Sequence, residues 1–377
     1  MTSSPNFCVV LDSGGYSIKV ILNDLPVQEF PNLTISSFPD PTAKPQMEFG
    51  SKVLPILSTL SPSHVIHKPM QFGYVTNFDL QAAIWHYILG PDELDIIPAE
   101  SRCIFPQPPF NFEWCRKQSV STLIKNFHLS ACAFPVAAFL SMIYGSASYP
   151  NFFNLDKCCV VVDMGFSSTW VSVFFQGRIV LKACKRLDVG GDVLTKYLEY
   201  RLKLKNVNMN YFQTNEIKHG HCRVSSDFIN EVDVIQPVLI ENDTHSFMLD
   251  TELITVPELY FKPYLASINQ MGLHELIVHL IDLVPVEEVQ KYSLFSNILL
   301  VGGSSLFPGL KQRLTEELDK QTPCSVSVEI YHPENPRHAT VIGGQLWSRQ
   351  PDSVDVSVIE ADLQYKWHSY SWKTDLR

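Results

Sequence analysis

Three clusters of residues in this chain have the types and spacing to handle a phosphorylated ligand. The first is Asp12-x-Gly14 followed by Lys19. A glycine there lets backbone N–H groups approach phosphate oxygens and form an anion-binding concavity. The Asp12 carboxylate could hold Mg²⁺ through water, because that ion keeps much of its hydration. Lys19 could reach a β-phosphate. The second cluster, Asp163-x-Gly165, is a tip of the same kind. The third, Gly302-Gly303, follows an apolar run and would let a base or ribose lie on bare backbone. Taken singly each is weak, since Asp-x-Gly is also an ordinary turn. Their order, and the repetition of the first in the second, carry the argument.

The repeat has no gap. Residues 8–20 read C-V-V-L-D-S-G-G-Y-S-I-K-V and residues 159–171 read C-V-V-V-D-M-G-F-S-S-T-W-V. Asp12 falls on Asp163, Gly14 on Gly165 and Ser17 on Ser168. Each copy is an apolar β-run, Asp-x-Gly, then a second run rich in β-branched residues, which predicts a β-hairpin with an acidic, glycine-bearing tip. A hairpin repeated half a chain apart predicts two similar lobes. The length of 377 residues agrees, being too great for one small core.

The remaining pattern supplies elements to position the tips. Helical spacing runs over 80–89, with Asp79 as N-cap and Gly90-Pro91 as stop. A strand is expected over 104–112, helices over 119–126 and 136–144, and a helix from Asp192 to about Leu204 after Gly190-Gly191. Further on, 273–283 and 310–318 read as helices, 297–301 as a buried strand and 325–331 as an alternating strand. Ile342-Gly343-Gly344 starts the last helix. Residues 24–67 read as a loop-rich insertion and 205–250 as a polar, mixed one; residues 351–377 carry mixed charge. Strands alternating with helices predict an α/β fold, a mixed sheet with flanking helices in each lobe. The first lobe spans 1–137, with its insertion at 24–67 and completion by 330–377. The second spans 138–329, with its insertion at about 185–256.

Composition narrows the function classes. A hydrophobic content of 45% excludes wholesale disorder, and a formal charge of −10 argues against nucleic-acid binding through overall electrostatics. No apolar run reaches the ~18 residues of a membrane span. Residues 1–7 lack the charged and apolar regions of a signal peptide, so an intracellular protein is expected. The nine cysteines form no C-x-x-C pair and lie mostly in apolar runs, which predicts reduced, buried thiols rather than a zinc site.

Over nearly its full length the chain resembles the actin superfamily. The resemblance is carried by L-D-S-G-G-Y-S-I-K (11–19), V-V-D-M-G (161–165), L-L-V-G-G-S-S-L-F-P-G (299–309) and V-I-G-G (341–344). More specific are F-G-Y-V-T-N-F-D-L-Q-A-A-I-W-H-Y-I-L-G (72–90), P-P-F-N-F (108–112), P-E-L-Y-F-K-P (257–263) and H-P-E-N-P (332–336), which point to a nuclear actin-related branch. The resemblance implies an actin fold: two ribonuclease H-like lobes, each with a smaller insertion, around a nucleotide cleft. It implies a nuclear location, with the cytoplasm as a second one, and a subunit of a Swr-type chromatin remodelling complex that exchanges a variant histone into nucleosomes. The implied partners are a remodelling ATPase, a small zinc-finger subunit and, through the complex, nucleosomes, with no membrane. The implied cofactor is ATP or ADP with Mg, structural rather than catalytic.

Carried over residue by residue, the nucleotide set is Asp12, Gly14, Gly15 and Lys19 in the first loop and Asp163 and Gly165 in the second. Gly302, Gly303 and Ser304 match the adenosine side, Lys218 falls where actins have an adenine-packing lysine, and Arg337 where they have another. Asp12 and Asp163 would hold Mg. The departures are as informative. Tyr16 stands where actin has glycine, Phe166 replaces an acidic residue, and Ser167 a glycine. Trp170 replaces a histidine, and His219 the glutamate that receives the ribose. Ala137 stands where a glutamine would position the attacking water, and hydrolysis needs that water oriented. No catalytic residue is therefore assigned. A segment before P-E-L-Y-F is shorter than in actin, and residues 24–67 show no counterpart of the actin interface loop, so no filament is expected. Two other readings stand beside the structural subunit: a nucleotide-dependent ATPase or phosphotransferase of the same superfamily, from the retained Asp12, Lys19, Asp163 and Gly303, and a cytoskeletal actin-related subunit.

Overall fold

The computed structural model describes residues 7–38, 44–149, 158–175, 177–241, 246–284 and 287–349. The chain divides into two compact units. The first holds residues 1–155, 176–179 and 338–377, the second 156–175 and 180–337.

In unit 1, β1 (Phe7–Ser13) pairs antiparallel with β2 (Ser17–Leu22), and β2 with β3 (Gln28–Pro31). A small sheet of β4 (Thr34–Ser37), β5 (Gln46–Glu48) and β6 (His64–His67) follows, then a hairpin of β7 (Met70–Gln71) and β8 (Tyr74–Val75). β9 (Ser101–Ile104) and β10 (Ala131–Ala133) add parallel strands to give the order β10-β9-β1-β2-β3. Alternation along β1 assigns its two faces. Val9 and Leu11 join Ile84, Trp85 and Ile88 of helix α1 (Phe78–Leu89). Val10 faces the other way, with Leu140 and Ile143 of α2 (Ala137–Ser148) and Val341 and Trp347 of the closing helix, Ala339–Ser348. A sheet covered on both faces reads as a continuous apolar run, which is why C-V-V-L lacks a polar alternate.

Unit 2 repeats the plan. β11 (Cys159–Met164) and β12 (Thr169–Phe175) form the second hairpin, β13 (Arg178–Leu187) lies beside β12, and β16 (Ile298–Val301) and β17 (Ile330–Tyr331) add parallel strands, giving β13-β12-β11-β16-β17. Each sheet is thus a three-strand meander extended by two parallel strands. Helices α3 (Gly191–Leu204), α4 (Tyr211–His221), α5 (Leu273–Asp282) and α6 (Leu310–Asp319) pack their apolar residues with it in one core. Between α4 and α5 lies a two-stranded sheet, β14 (Val238–Glu241) and β15 (Ser246–Leu249). None of the described helices is long and apolar enough to cross a membrane. All nine cysteines are free thiols, and only Cys324 is exposed.

Several elements differ from the sequence reading. The units exchange chain at 155/156 and 337/338 rather than 137/138 and 329/330. Helix α2 packs into unit 1 through Leu140 and Ile143, while β17 pairs with β16 of unit 2. The strand expected over 104–112 ends at Ile104, since Pro106, Pro108 and Pro109 have no N–H for a ladder. The alternating segment 325–331 is strand only at Ile330–Tyr331, because its short partner β16 offers register at Ile298 and Leu299. Within 24–67, β3 belongs to the main sheet, and within 205–250 lie α4 and the β14–β15 hairpin. Gly343 and Gly344 lie inside the closing helix rather than at its start. A Cβ on Gly343 would stand 1.8 Å from the Leu140 carbonyl oxygen, so Gly343 lets the closing helix meet α2 backbone to backbone, while one on Gly344 would stand 2.6 Å from Val10 Cγ1 of β1. Residues 351–377 and Pro285 lie outside the described residues.

The N-cap of α1 is Asn77, not Asp79. Its side chain accepts the Leu80 N–H at 3.0 Å, while Asp79 sits in the first turn, where negative charge favours the helix dipole. Asn77→Ala is expected to lower unfolding stability by ~1 kcal/mol in urea titration, and Asp79→Ala by about half that or less.

Candidate functional site

The first tip is built by register. In the β1–β2 ladder Asp12 lies opposite Lys19, and in the β2–β3 ladder Lys19 lies opposite Glu29. Paired positions share a face, so a carboxylate, an ammonium and a second carboxylate form a row across three strands. Lys19 Nζ is 3.9 Å from Asp12 Oδ2. Burial holds the Asp12 carboxyl above its usual range; the Lys19 ammonium pulls it down, Glu29 raises it and His338 lowers it. His338 Nε2 is also 3.5 Å from Glu29 Oε2, and Ser17 Oγ donates to Glu29.

The turn between the strands is closed by the Gly14 N–H donating to the Ser17 carbonyl at 3.0 Å. Asn32 clamps it from below. Its backbone N–H donates to the Tyr16 carbonyl at 3.0 Å and its side-chain amide to the Gly14 carbonyl at 2.8 Å. Gln81, wholly buried on α1, exchanges hydrogen bonds with Asn32 at 3.0 and 3.2 Å, and the buried Trp85 indole donates to Ser13 Oγ at 2.8 Å. The tip is a fixed object, held by three side chains that the Asp-x-Gly motif did not reveal. Of these, Gln81 and Trp85 could have been read from the inward face of the predicted helix.

The second tip has the same geometry. Asp163 lies opposite Trp170, and the Gly165 N–H donates to the Ser168 carbonyl at 3.0 Å. A Cβ on Gly14 would meet the Ser17 carbonyl oxygen at 3.0 Å, and one on Gly165 the Ser168 carbonyl oxygen at 3.1 Å. The sequence repeat is therefore a repeat of backbone contacts. Where the first tip sets Lys19 opposite Asp12, the second sets Trp170 opposite Asp163.

Around the second tip the structure gathers most of the expected residues of unit 2. The N–H groups of Gly191 and Asp192 donate to the carbonyls of Gly165 (3.1 Å) and Phe166 (2.8 Å), docking the start of α3 under the turn. Gly190 crosses so closely that a Cβ would stand 2.5 Å from the Phe166 carbonyl oxygen. Phe166 lies across Gly191, its Cδ2 and the Ser304 Oγ both 3.5 Å from where a Gly191 Cβ would be. Gly302 passes against Met164 with φ +91°, and its N–H donates to the Pro336 carbonyl at 2.9 Å. Gly303 has nothing within 4 Å of a Cβ position, so its backbone faces open space.

Lys218, 2% exposed, extends inward. Its Nζ donates to the Gly191 carbonyl (2.9 Å), Thr195 Oγ1 (2.8 Å) and Asn215 Oδ1 (2.8 Å). All three protons are used, so any ligand contact falls to the alkyl stem. Loss of solvent pushes this ammonium down to about 8, partly offset by Cys222 and Asp192. His219, next along α4, is pushed down to about 4, first by loss of solvent around the ring and then by Lys218 and Arg337. The ring is neutral near pH 7, and Arg337 belongs to the same neighbourhood. Tyr260, wholly buried beside Thr169 and Ser304, has its phenol raised by burial. Thr195, Asn215 and Tyr260 were not legible as site residues. The capping box of Asn210 and Gln213 that opens α4 was the missed signal for the helix carrying Asn215 and Lys218.

Residues 4–214 and 212–364 match the family described as Actin. The chain belongs to the actin family. Among individual relatives it is similar to actin-related protein 6 of Dictyostelium discoideum, at 25% identity over 98% of this chain and 94% of that protein. It is likewise similar to actin-related protein 6 of Drosophila melanogaster, at 26% identity over 95% and 97%. Actin-related protein 2 of Caenorhabditis briggsae is 28% identical over 67% and 64% of the two chains. As an actin-related protein the chain falls in a family whose members generally bind a nucleotide with Mg. Unit 1 suits that group through Asp12, Lys19 and the Gly14 turn, and unit 2 through Asp163, the Gly165 turn and the open backbone at Gly303.

Proposed function

We propose that this chain is a structural subunit of a Swr-type nuclear chromatin remodelling complex that exchanges a variant histone into nucleosomes. It acts as an adaptor between the remodelling ATPase and a small zinc-finger subunit. The observation carrying this reading is similarity to actin-related protein 6 over nearly the whole chain, in an amoeba and a fly. A non-catalytic role is supported by Ala137. Helix α2 opens there with a methyl group, and the Ala137 N–H already donates to the Gln107 carbonyl at 2.9 Å. No side chain at that position can orient a water.

ATP or ADP with Mg is proposed as a structural cofactor. The residues proposed for it are Asp12, Gly14, Gly15 and Lys19 in unit 1, and Asp163, Gly165, Gly302, Gly303, Ser304, the Lys218 stem and Arg337 in unit 2. The bound group would supply phosphate charge for these backbone turns to neutralise. At a hundredfold excess over its dissociation constant such a ligand stabilises by ~2.7 kcal/mol. Melting temperature is therefore expected to rise with Mg-ATP, and equal values with and without it would count against the cofactor.

Affinity purification of the tagged chain from nuclear extract tests the assembly. Co-recovery of a remodelling ATPase and a zinc-finger protein is expected, and recovery with no remodeller subunit would overturn the reading. Magnesium-dependent single-turnover hydrolysis, lost in Asp163→Ala, would favour an active ATPase instead, and pelleting with ATP and salt would favour a filament.

A further inference from the structure

We propose that the β14–β15 sheet of unit 2 is a docking edge for an extended, basic peptide, which adds to it as a third strand. Two four-residue strands are marginal by themselves, and among the described residues no third strand pairs with either outer edge. The ladder sets Leu239 opposite Met248 and Ile240 opposite Phe247. Ile240 and Leu249 turn into the core, while Leu239 and Met248 form an apolar pair facing solvent, 52% and 45% exposed. Sheet edges are usually blunted by lysine, a charge or a bulge. β14 instead presents V-L-I before its only charge, Glu241.

At the start of β14 the surface opens into a groove of about 480 Å³, lined by Val234, Ile235, Val238 and Leu253 and, on its polar side, by the Arg223–Glu231 ion pair. A peptide strand running along β14 would place one side chain there, and strand addition draws affinity from the main chain and specificity from such pockets. Charge identifies the partner. Residues 224–261 contain eight Asp and Glu and no Lys or Arg. Arg223 pairs with Glu231, and Lys205 with Asp250 and Glu252. Glu258 meets Lys262 and Arg313. Asp227, Asp233 and Glu241 make no ion pair among the described residues. A strand of alternating apolar and Lys or Arg residues would satisfy both the apolar groove and these carboxylates. The inference does not depend on the assembly proposed above.

The test uses the full chain and a fluorescein-labelled octapeptide alternating valine and lysine, followed by fluorescence anisotropy. Saturable binding is expected, weakened about tenfold or more when alternate peptide nitrogens are N-methylated and absent when lysine is replaced by glutamate. An Asp233→Lys, Glu241→Lys double variant with unchanged melting temperature is expected to weaken binding by a similar factor. No saturable binding, or equal binding of the N-methylated peptide, would overturn strand addition. The peptide comparison uses wild-type protein alone, so it stands even if the variant folds poorly.

Discussion

Gly302→Val is expected to destabilise the protein by at least about 3 kcal/mol, the scale of a bulky residue forced into a strained backbone position with a steric clash. Its φ of +91° lies where β-branched residues are strongly disfavoured, and an added Cβ would stand 2.4 Å from the Met164 carbonyl oxygen, 2.6 Å from its carbon and 2.7 Å from its nitrogen. These are backbone atoms of β11, so relief requires β11 and the loop after β16 to separate. The adjacent Gly303→Ala is the control. Its Cβ meets nothing within 4 Å, and the change should stay within about 1 kcal/mol in urea unfolding. Equal losses at the two positions would refute the argument. Mg-ATP protection against unfolding is the second readout. If Gly303 carries ligand on its open backbone, Gly303→Val should lose that protection while keeping most of its stability.

Lys218 carries the second large effect, and its size depends on pH. Lys218→Met keeps the length of the stem but leaves the Gly191 carbonyl, Thr195 Oγ1 and Asn215 Oδ1 without their donor. A loss of about 2–3 kcal/mol is expected at pH 7, more than one neutral hydrogen bond because several buried acceptors are orphaned together. The folded lysine titrates near 8, below its unfolded value of 10.5. Between those values the unfolded chain binds more protons, so this group's contribution to stability rises with pH. Below pH 8 both states are charged, and the full penalty of burying the ammonium is present. By pH 10 wild type should gain about 2 kcal/mol relative to Lys218→Met. Comparison with the variant matters because buried thiols common to both proteins, such as Cys184, pushed up to about 11, act oppositely above pH 9. A stability difference flat from pH 7 to 10 would show that the lysine titrates normally.

Lys218 has a structural role that its position in the sequence does not reveal. Its alignment position suggested a side chain lying on an adenine. The structure directs its ammonium inward, where it ties the start of α3 to α4 through Gly191, Thr195 and Asn215. Those partners are 27, 23 and 3 residues away, and nothing in the local pattern relates Gly191 or Thr195 to Lys218. In the same way Asn32 and Gln81, 49 residues apart, hold the first tip from beneath. The V-I-G-G motif was legible as a motif but not as a helix crossing, because the reason for Gly343 is the carbonyl of Leu140.

What the chain determined by itself was the architecture. Period-two and period-3.6 patterns, the turn chemistry of Asp-x-Gly and the gapless repeat are local properties, and they were enough for two hairpins and a mixed sheet in each lobe, whereas the shared strand order came from the fold. Tertiary structure alone decided the chemistry of the two tips. Strand register set Asp12 beside Lys19 and Glu29 in one and Asp163 beside Trp170 in the other. Burial then shifted the Asp12 carboxyl up and the Lys218 ammonium down. Charge, solvation and hydrogen-bond saturation depend on which groups meet across the fold, and sequence spacing does not contain those distances.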